Sequence, residues 1–316
     1  MNPAVELAHV TVRDRRQIVL DRISLSLDSG HGLAIVASNA RNATALLRVM
    51  ARLQRPTVGH VRLMAQEPSR ARRRGLVGIA PSLEDLDDEK SGAGILTELG
   101  RLKGLRRHRA EAEAGQWLAT LGLEGTASRP FGSWPSSARS VLSVAAALVG
   151  RPRILILDTV LEGIEPADRG HVVSCLCELK AQGVAIVLAD RDCSIGGTVC
   201  DSVALLREGT LIGRGSPEEI RQSARGLLYA YALPADRYKL PEGDGITARR
   251  TGEEVLVLAE EDITQALIDQ YGDDAVIQRE PTLQETCTWM LEHPQQVVAR
   301  SRLWGEPSSG SQITTS

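Results

Sequence analysis

The sequence predicts an α/β protein in which the first two-thirds form a largely parallel sheet and a smaller α+β unit follows. Three short apolar runs have the length and composition of buried strands: Leu33–Ala37, Ile154–Leu157 and Ala185–Leu188. Helical patterns lie between them along the chain. Because strands that alternate with helices pair in parallel, these runs favour one α/β sheet. The pattern changes near Leu227, where a stretch rich in Pro, Gly and charge precedes shorter elements.

The first elements follow from their periodicity. Val5–Val12 and Ile23–Leu27 alternate apolar and polar residues, which is typical of half-buried strands. Apolar residues at helical spacing predict a helix over 44–53. Pro56 and Gly59 then break that helix.

The change of pattern sets the predicted domain organisation. We expect a larger domain over 1–228, a linker over 229–245, a small α+β domain over 246–295 and a disordered Ser/Thr/Gly-rich tail over 296–316. The small domain is predicted to contain strands at 255–258 and 275–278, and helices that begin at Asp262 and Thr282.

Composition excludes several classes of function. The net charge of −3 and the aromatic content of 3% in 316 residues argue against a nucleic-acid partner. No run of about 18 apolar residues exists, and Met1–Val10 has no signal-peptide pattern. We therefore expect a cytoplasmic protein that reaches the inner face of a membrane only through a partner. The cluster Arg70–Arg74 is interpreted as a solvated segment, and the six dispersed histidines predict no metal site.

Four segments carry a resemblance to a known family. Ala34–Val61 resembles the phosphate-loop region of an ATP-binding-cassette (ABC) ATPase, and Arg151–Pro166 resembles the next nucleotide-binding strand and its following loop. Cys200–Ile220 is similar to the last strands of that domain. Arg279–Thr286 resembles the C-terminal extension of the drug-export (ABC-2) type. The resemblance implies a P-loop NTPase-like ABC nucleotide-binding domain with a helical subdomain, ATP and Mg²⁺ as ligands, and a membrane permease as partner.

The phosphate loop departs from its family pattern, G-x-x-x-x-G-K-[ST]. Its glycines bring backbone N–H groups against the phosphates, and its lysine neutralises their charge. Here the two glycine positions are Ala37 and Asn42, and the lysine position is Ala43. Only Thr44 is retained. Because asparagine can enter the left-handed region, we expect the turn to survive.

A vestigial nucleotide site would consist of four residues: Asn39, Asn42, Thr44 and Asp158. Thr44 and Asp158 would be the ligands if Mg²⁺ binds at all. Arg41 could approach a phosphate from an unusual position. We therefore expect an inert strand–turn–helix that needs no cofactor, and weak binding of ATP and Mg²⁺ is the alternative.

Four further family positions have changed. Thr159 replaces the glutamate that orients the attacking water, and a threonine cannot act as that base. Ser82 replaces the glutamine of the Q-loop, and Arg191 replaces the switch histidine. Pro135 lies at the contact position of the signature loop, where it removes an N–H group. We expect the helix after it to persist as a Ser-capped structural element.

These substitutions predict a pseudo-ATPase with absent or negligible hydrolysis, which acts by binding an active ABC paralogue, an export permease or both. One alternative is an active ATP-hydrolysing subunit of an ABC-2-type exporter. Another is a soluble regulatory scaffold. In the family, the permease docks between the Q-loop and the signature helix, here about Ser82–Phe131, where Ile95 and Leu99 lie at helical spacing.

Overall fold

The computed structural model describes residues 3–15, 17–158, 160–191, 193–234, 245–251 and 254–294. It contains two compact units: the first extends to Arg214 and the second begins at Gly215.

The first unit contains nine strands and seven α-helices in its described residues. The strands are β1 (Val5–Asp14), β2 (Gln17–Leu27), β3 (Gly32–Ala37), β4 (Val58–Leu63), β5 (Val77–Ile79), β6 (Ile154–Leu157), β7 (Ala185–Ala189), β8 (Ser202–Arg207) and β9 (Thr210–Gly215), which ends at the boundary between the units. The helices are α1 (Ala40–Met50), α2 (Pro68–Arg73), α3 (Gly92–Leu102), α4 (Arg107–Thr120), α5 (Ser136–Leu148), α6 (Pro166–Ala181) and α7 (Gly196–Val199).

A six-stranded sheet forms the centre of this unit, in the order β5-β6-β7-β3-β8-β9. The pairs β5–β6, β6–β7, β7–β3 and β3–β8 are parallel, which confirms the predicted parallel sheet. The carboxyl ends of β3, β6 and β7 therefore lie at one edge, where open α/β sheets bind their ligands. A second, antiparallel sheet has the order β2-β1-β4.

Helix α1 packs between the two sheets through Leu46, Leu47 and Met50, all of which are fully buried. Its predicted range of 44–53 is wrong at both ends. It begins at Ala40 because the Asn39 side chain caps it. It ends at Met50, after which the Arg52 N–H group bonds to the Val49 carbonyl and the Leu53 and Gln54 N–H groups both bond to the Arg48 carbonyl.

The helical part of the unit places the expected permease-docking residues in its core. Ile95 is 4% exposed, and its neighbour Leu96 is fully buried where α3 packs against α4 and α5. Leu99 is half-buried. The prediction of a free apolar docking face on this helix is therefore wrong, because its apolar side chains are already used within the unit.

The second unit is a four-stranded antiparallel sheet with helices. Its strands are β10 (Tyr229–Pro234), β11 (Ile246–Thr251), β12 (Glu254–Ala259) and β13 (Ile277–Arg279), in the order β11-β12-β10-β13. Its helices are α8 (Pro217–Ser223), α9 (Thr264–Tyr271) and α10 (Leu283–Glu292).

Strand β10 corrects the linker prediction, because it occupies the first part of the expected linker. Its alternation places Tyr231 and Leu233 in a core with Leu267 of α9. The polar Pro/Gly stretch that follows masked this short period-2 pattern. The rest of that linker, 235–244, and the expected disordered tail, 296–316, lie outside the described residues. In the described part of the chain, no helix is long and apolar enough to cross a membrane.

Candidate functional site

The turn from β3 to α1 contains only two residues, Ser38 and Asn39. The Ser38 N–H group donates to the Leu206 carbonyl at 3.0 Å. The Asn39 Oδ1 atom accepts from the Arg41 N–H group at 2.9 Å and caps the helix. An asparagine cap satisfies N–H donors that a phosphate loop would leave free for its ligand.

Asn42 therefore lies inside the helix and not in a left-handed turn. No residue from Ala37 to Thr44 has a positive φ angle. The Asn42 N–H group donates to the Asn39 carbonyl at 2.9 Å. The expectation that the phosphate-loop turn survives is wrong, because the helix has extended into it by several residues.

The side chain of Asn42 has a structural partner. Its Nδ2 atom donates to the Val19 carbonyl of β2 at 2.6 Å, and the residue is only 7% exposed. A glycine here could not make this bond. Asn42 thus fastens α1 to the antiparallel sheet. The neighbouring Ala43 is also buried, so the position that would hold a phosphate-binding lysine contributes only a methyl group to the core.

Thr44 and Asp158 lie together, as the sequence predicts for the two Mg²⁺ positions. The Thr44 hydroxyl donates to Asp158 Oδ1 at 3.0 Å. Burial raises the pKa of Asp158 above its usual range, against the opposing effects of the Thr44 hydrogen bond and the Arg48 charge. Glu162 adds to the rise. Among the described residues, no group of three His, Cys, Asp or Glu side chains could hold a metal ion.

Two exposed ion pairs join the loops around this edge of the sheet. Arg41 pairs with Asp14 at the end of β1, so its expected role in approaching a phosphate does not match its contact. Arg191 pairs with Glu162 at 3.1 Å. Arg191 therefore joins the loop after β7 to the short 3₁₀ turn at 160–163.

Asp190, beside Arg191, was not singled out from the sequence. Its side chain is buried, with 2% exposure, and Oδ2 accepts from the Ile195 and Gly196 N–H groups at 2.9 and 2.5 Å. Gly196 approaches so closely that an added Cβ would lie 3.1 Å from this oxygen. The signal in the sequence was a carboxylate directly after a buried strand, six residues before the start of α7 at Gly196.

The predicted positions do not surround one cavity. Ala37, Ala43 and Arg191 line a cavity of about 20 Å³ together with Ala40 and Glu162. That volume suits a single water molecule, whereas small-molecule sites commonly have about 300–1,000 Å³.

Ser82 and Asp158 face elsewhere. Both line a separate cleft of about 720 Å³, which also includes Arg48, Leu53 and Leu83. Ser82 itself is exposed and precedes a 3₁₀ turn at 83–85. The N–H groups of Ser38, Arg41 and Asn42 are already bonded within the protein, and the cavity beside the helix is small. These residues therefore do not fit a bound nucleoside triphosphate and its Mg²⁺.

The signature position is arranged for packing. Pro135 is exposed and lies at the start of α5 with no side-chain cap, so the expectation of a serine cap is wrong. Ser137 instead accepts from the Glu165 N–H group at 3.0 Å and donates to Asp168 at the start of α6. The serine ties two helices together because its hydroxyl faces α6. Thr159 lies outside the described residues.

Comparison with known proteins identifies a family that matches part of the first unit. The ABC transporter family model matches residues 20–161, from within β2 to the 3₁₀ turn that follows β6. The chain contains an ABC transporter ATP-binding domain. The matched stretch includes the altered phosphate loop as well as Asp158.

Relatives of known name resemble this ABC domain at low identity. An uncharacterized ABC transporter ATP-binding protein, YxlF of Bacillus subtilis, is 26% identical over 219 residues, which cover 69% of this chain and 73% of that protein. The Nod factor export ATP-binding protein I of Mesorhizobium japonicum is 27% identical over 220 residues. This match covers 69% of the chain but only 64% of the relative.

Solved structures show the same fold. The ATP-binding subunit of an ABC transporter aligns with a TM-score of 0.62 at 20% identity, over 69% of this chain and 92% of that one. CbiO1 of Clostridium perfringens, part of the ABC transporter complex CbiONQ, aligns with a TM-score of 0.61 at 19% identity, over 71% and 96%. The architecture is therefore that of a P-loop NTPase-like ABC cassette.

Proposed function

We propose that this chain is a non-catalytic subunit of an ABC transporter, which acts by binding an active ABC paralogue, an export permease or both. The supporting observation is the start of α1 at Ala40. A phosphate loop holds its ligand with free backbone N–H groups and a lysine. In this chain Asn39 caps the helix, Asn42 is bonded to β2 and Ala43 is buried.

The electrostatics of the site favour the same conclusion. Removal of one preorganised donor from a catalytic site typically costs about 10²–10³ in rate. Here the lysine position is an alanine, and the position of the water-orienting glutamate is Thr159. The alternative of an active ATPase would require the first turn of α1 to unwind and Asn42 to leave its buried partner. Each of these changes loses hydrogen bonds, and the altered residues offer no lysine or glycine contacts to ATP that would offset the loss.

The proposed partners come from the relatives. CbiO1 is part of a multi-subunit ABC transporter complex, and the Nod factor protein is named for export. A permease would hold this subunit at the cytoplasmic face of the membrane. We propose the 720 Å³ cleft as the partner contact in place of the α3 helix face. Its lining includes Ser82, the first residue of the expected docking stretch, and Leu53, which is 50% exposed.

Restoring the lysine alone should not restore nucleotide binding. In Ala43→Lys, the new charge would replace a buried methyl group while the Arg41 N–H group stays bonded to the Asn39 side chain. We expect isothermal titration calorimetry to detect no ATP binding with a Kd below about 1 mM in the wild type or in Ala43→Lys. A Kd of this size corresponds to a binding free energy of only about −4 kcal/mol. Micromolar binding by the single variant would contradict the proposed state of the loop.

The partner contact can be tested by purifying the full chain from its native membrane fraction. We expect an ABC permease or a paralogous ABC ATPase to copurify, and we expect Leu53→Asp to reduce its recovery at least tenfold. Ile18→Asp is the matched control, because Ile18 is 48% exposed on β2 and lies away from the cleft lining. Equal loss in both variants would contradict the cleft as the partner contact. Recovery of soluble partners alone would favour the regulatory scaffold instead.

A further inference from the structure

The segment from Arg48 to Arg74 has a strongly unbalanced charge. It contains a single acidic residue, Glu67, in a chain of net charge −3. Its eight arginines, named here the arginine surface, are Arg48, Arg52, Arg55, Arg62, Arg70, Arg72, Arg73 and Arg74. All are exposed except the half-buried Arg52. These basic residues extend beyond one helix, over α1, β4, α2 and the connections between them.

The fold brings these arginines onto neighbouring elements of the first unit. Strand β4 packs against both α1 and α2. Arg48 of α1 and Arg72 of α2 line the same cleft, although they are 24 positions apart in the sequence. Glu84 and Asp85 also line that cleft and mark the border of the basic region.

The charges of the arginine surface are left almost uncompensated. Within the part of the chain that the structure describes, no carboxylate forms an ion pair with any of the eight. Arg74 donates to the neutral Gln66 at 3.0 Å, and the charge of Arg48 acts on the half-buried Asp158. Mutual repulsion among unpaired arginines costs stability unless an anionic partner relieves it.

An apolar element lies among these charges. Strand β4 is an edge strand whose exposed residues include Val58, His60 and Arg62, and Val58 is 58% exposed. Basic side chains around an exposed apolar residue suit an interface that has negative headgroups above an apolar layer. The chain has few aromatic side chains with which to stack on bases, which argues against a nucleic-acid ligand.

We propose that the arginine surface binds the headgroups of anionic phospholipids, so that the first unit contacts a negatively charged membrane directly. This inference is independent of whether the chain hydrolyses ATP and of which protein it joins. Each arginine near an anionic surface changes the membrane partition by about fivefold, and the attraction is screened by salt.

The test is cosedimentation of the full-length protein with vesicles of phosphatidylcholine containing about 30% phosphatidylglycerol, a content that gives a strongly anionic surface. The variant Arg55→Gln/Arg62→Gln/Arg73→Gln removes three exposed charges that make no ion pair. We expect its partition onto these vesicles to fall roughly 100-fold. The matched control is Arg101→Gln/Arg106→Gln/Arg109→Gln, which removes three exposed arginines around the α3–α4 connection. Thermal unfolding curves identify any variant that fails to fold.

Three outcomes would overturn the proposal. Wild-type protein that binds these vesicles no better than pure phosphatidylcholine has no anionic-lipid surface. Equal losses in the two triple variants would mean that net charge, and not this surface, governs binding. Tighter binding to a 20-base-pair DNA duplex than to the vesicles at the same salt would assign the surface to nucleic acid. A loss confined to the first variant, together with wild-type binding that weakens in high salt and on neutral vesicles, supports the proposal.

Discussion

Replacing the buried Asp190 by alanine is expected to destabilise the loop after β7 by about 3 kcal/mol, because hydrogen bonds to charged groups contribute about 1.5–3 kcal/mol each. Asp190 accepts from the N–H groups of Ile195 and Gly196, and it is 2% exposed. In Asp190→Ala both donors lose this acceptor inside the protein. Hydrogen exchange of these two amides should become roughly 100-fold faster, which mass spectrometry of peptides covering 185–200 can measure.

The matched control is Asp190→Asn, which retains one oxygen acceptor in a side chain of the same shape. We expect it to accelerate exchange by about tenfold or less, since a neutral acceptor is worth about half a charged one. If both variants exchange at the wild-type rate, Asp190 does not hold this loop.

The second large effect is expected at Asn42. Restoring the glycine of the phosphate-loop pattern, Asn42→Gly, should destabilise the first unit by about 2–3 kcal/mol. The variant loses the hydrogen bond to the buried Val19 carbonyl and places a glycine inside α1. Urea unfolding followed by circular dichroism measures the change.

Asn42→Ala separates the two causes. It loses the same hydrogen bond but introduces alanine, the strongest helix former, so we expect a loss of about 1–2 kcal/mol, smaller than that of the glycine variant. A glycine variant at least as stable as the wild type would contradict the helical assignment of this residue. It would indicate that the position prefers the turn of an ordinary phosphate loop.

The parallel sheet could be predicted because each of its central strands is a short, fully apolar run. Ile154–Leu157 and Ala185–Leu188 are buried on both faces, so their sequences identify them without any knowledge of their neighbours. The same reasoning missed β10. Its alternation over Tyr229–Pro234 is short and merges with polar sequence, and only its pairing with β12 and β13 distinguishes it from a linker.

The site was predictable as a set of altered positions but not as a geometry. The motif spacing identified Thr44 and Asp158, which do lie in contact. It could not show that Asn39 would cap α1, since an asparagine serves equally well in a turn or as a helix cap. The contacts of Asn42 with β2 and of Arg41 with Asp14 join residues far apart in sequence, and only the tertiary fold specifies them.

ATP hydrolysis by the purified full-length chain tests the central claim most directly. The assay compares the wild type with Asp158→Asn in the presence and absence of Mg²⁺. We predict that both hydrolyse ATP no faster than buffer, because the Arg41 N–H group is capped by Asn39 and the lysine position is Ala43. A Mg²⁺-dependent rate above about 0.1 s⁻¹, well within reach of ordinary enzymes and lost in Asp158→Asn, would contradict the account.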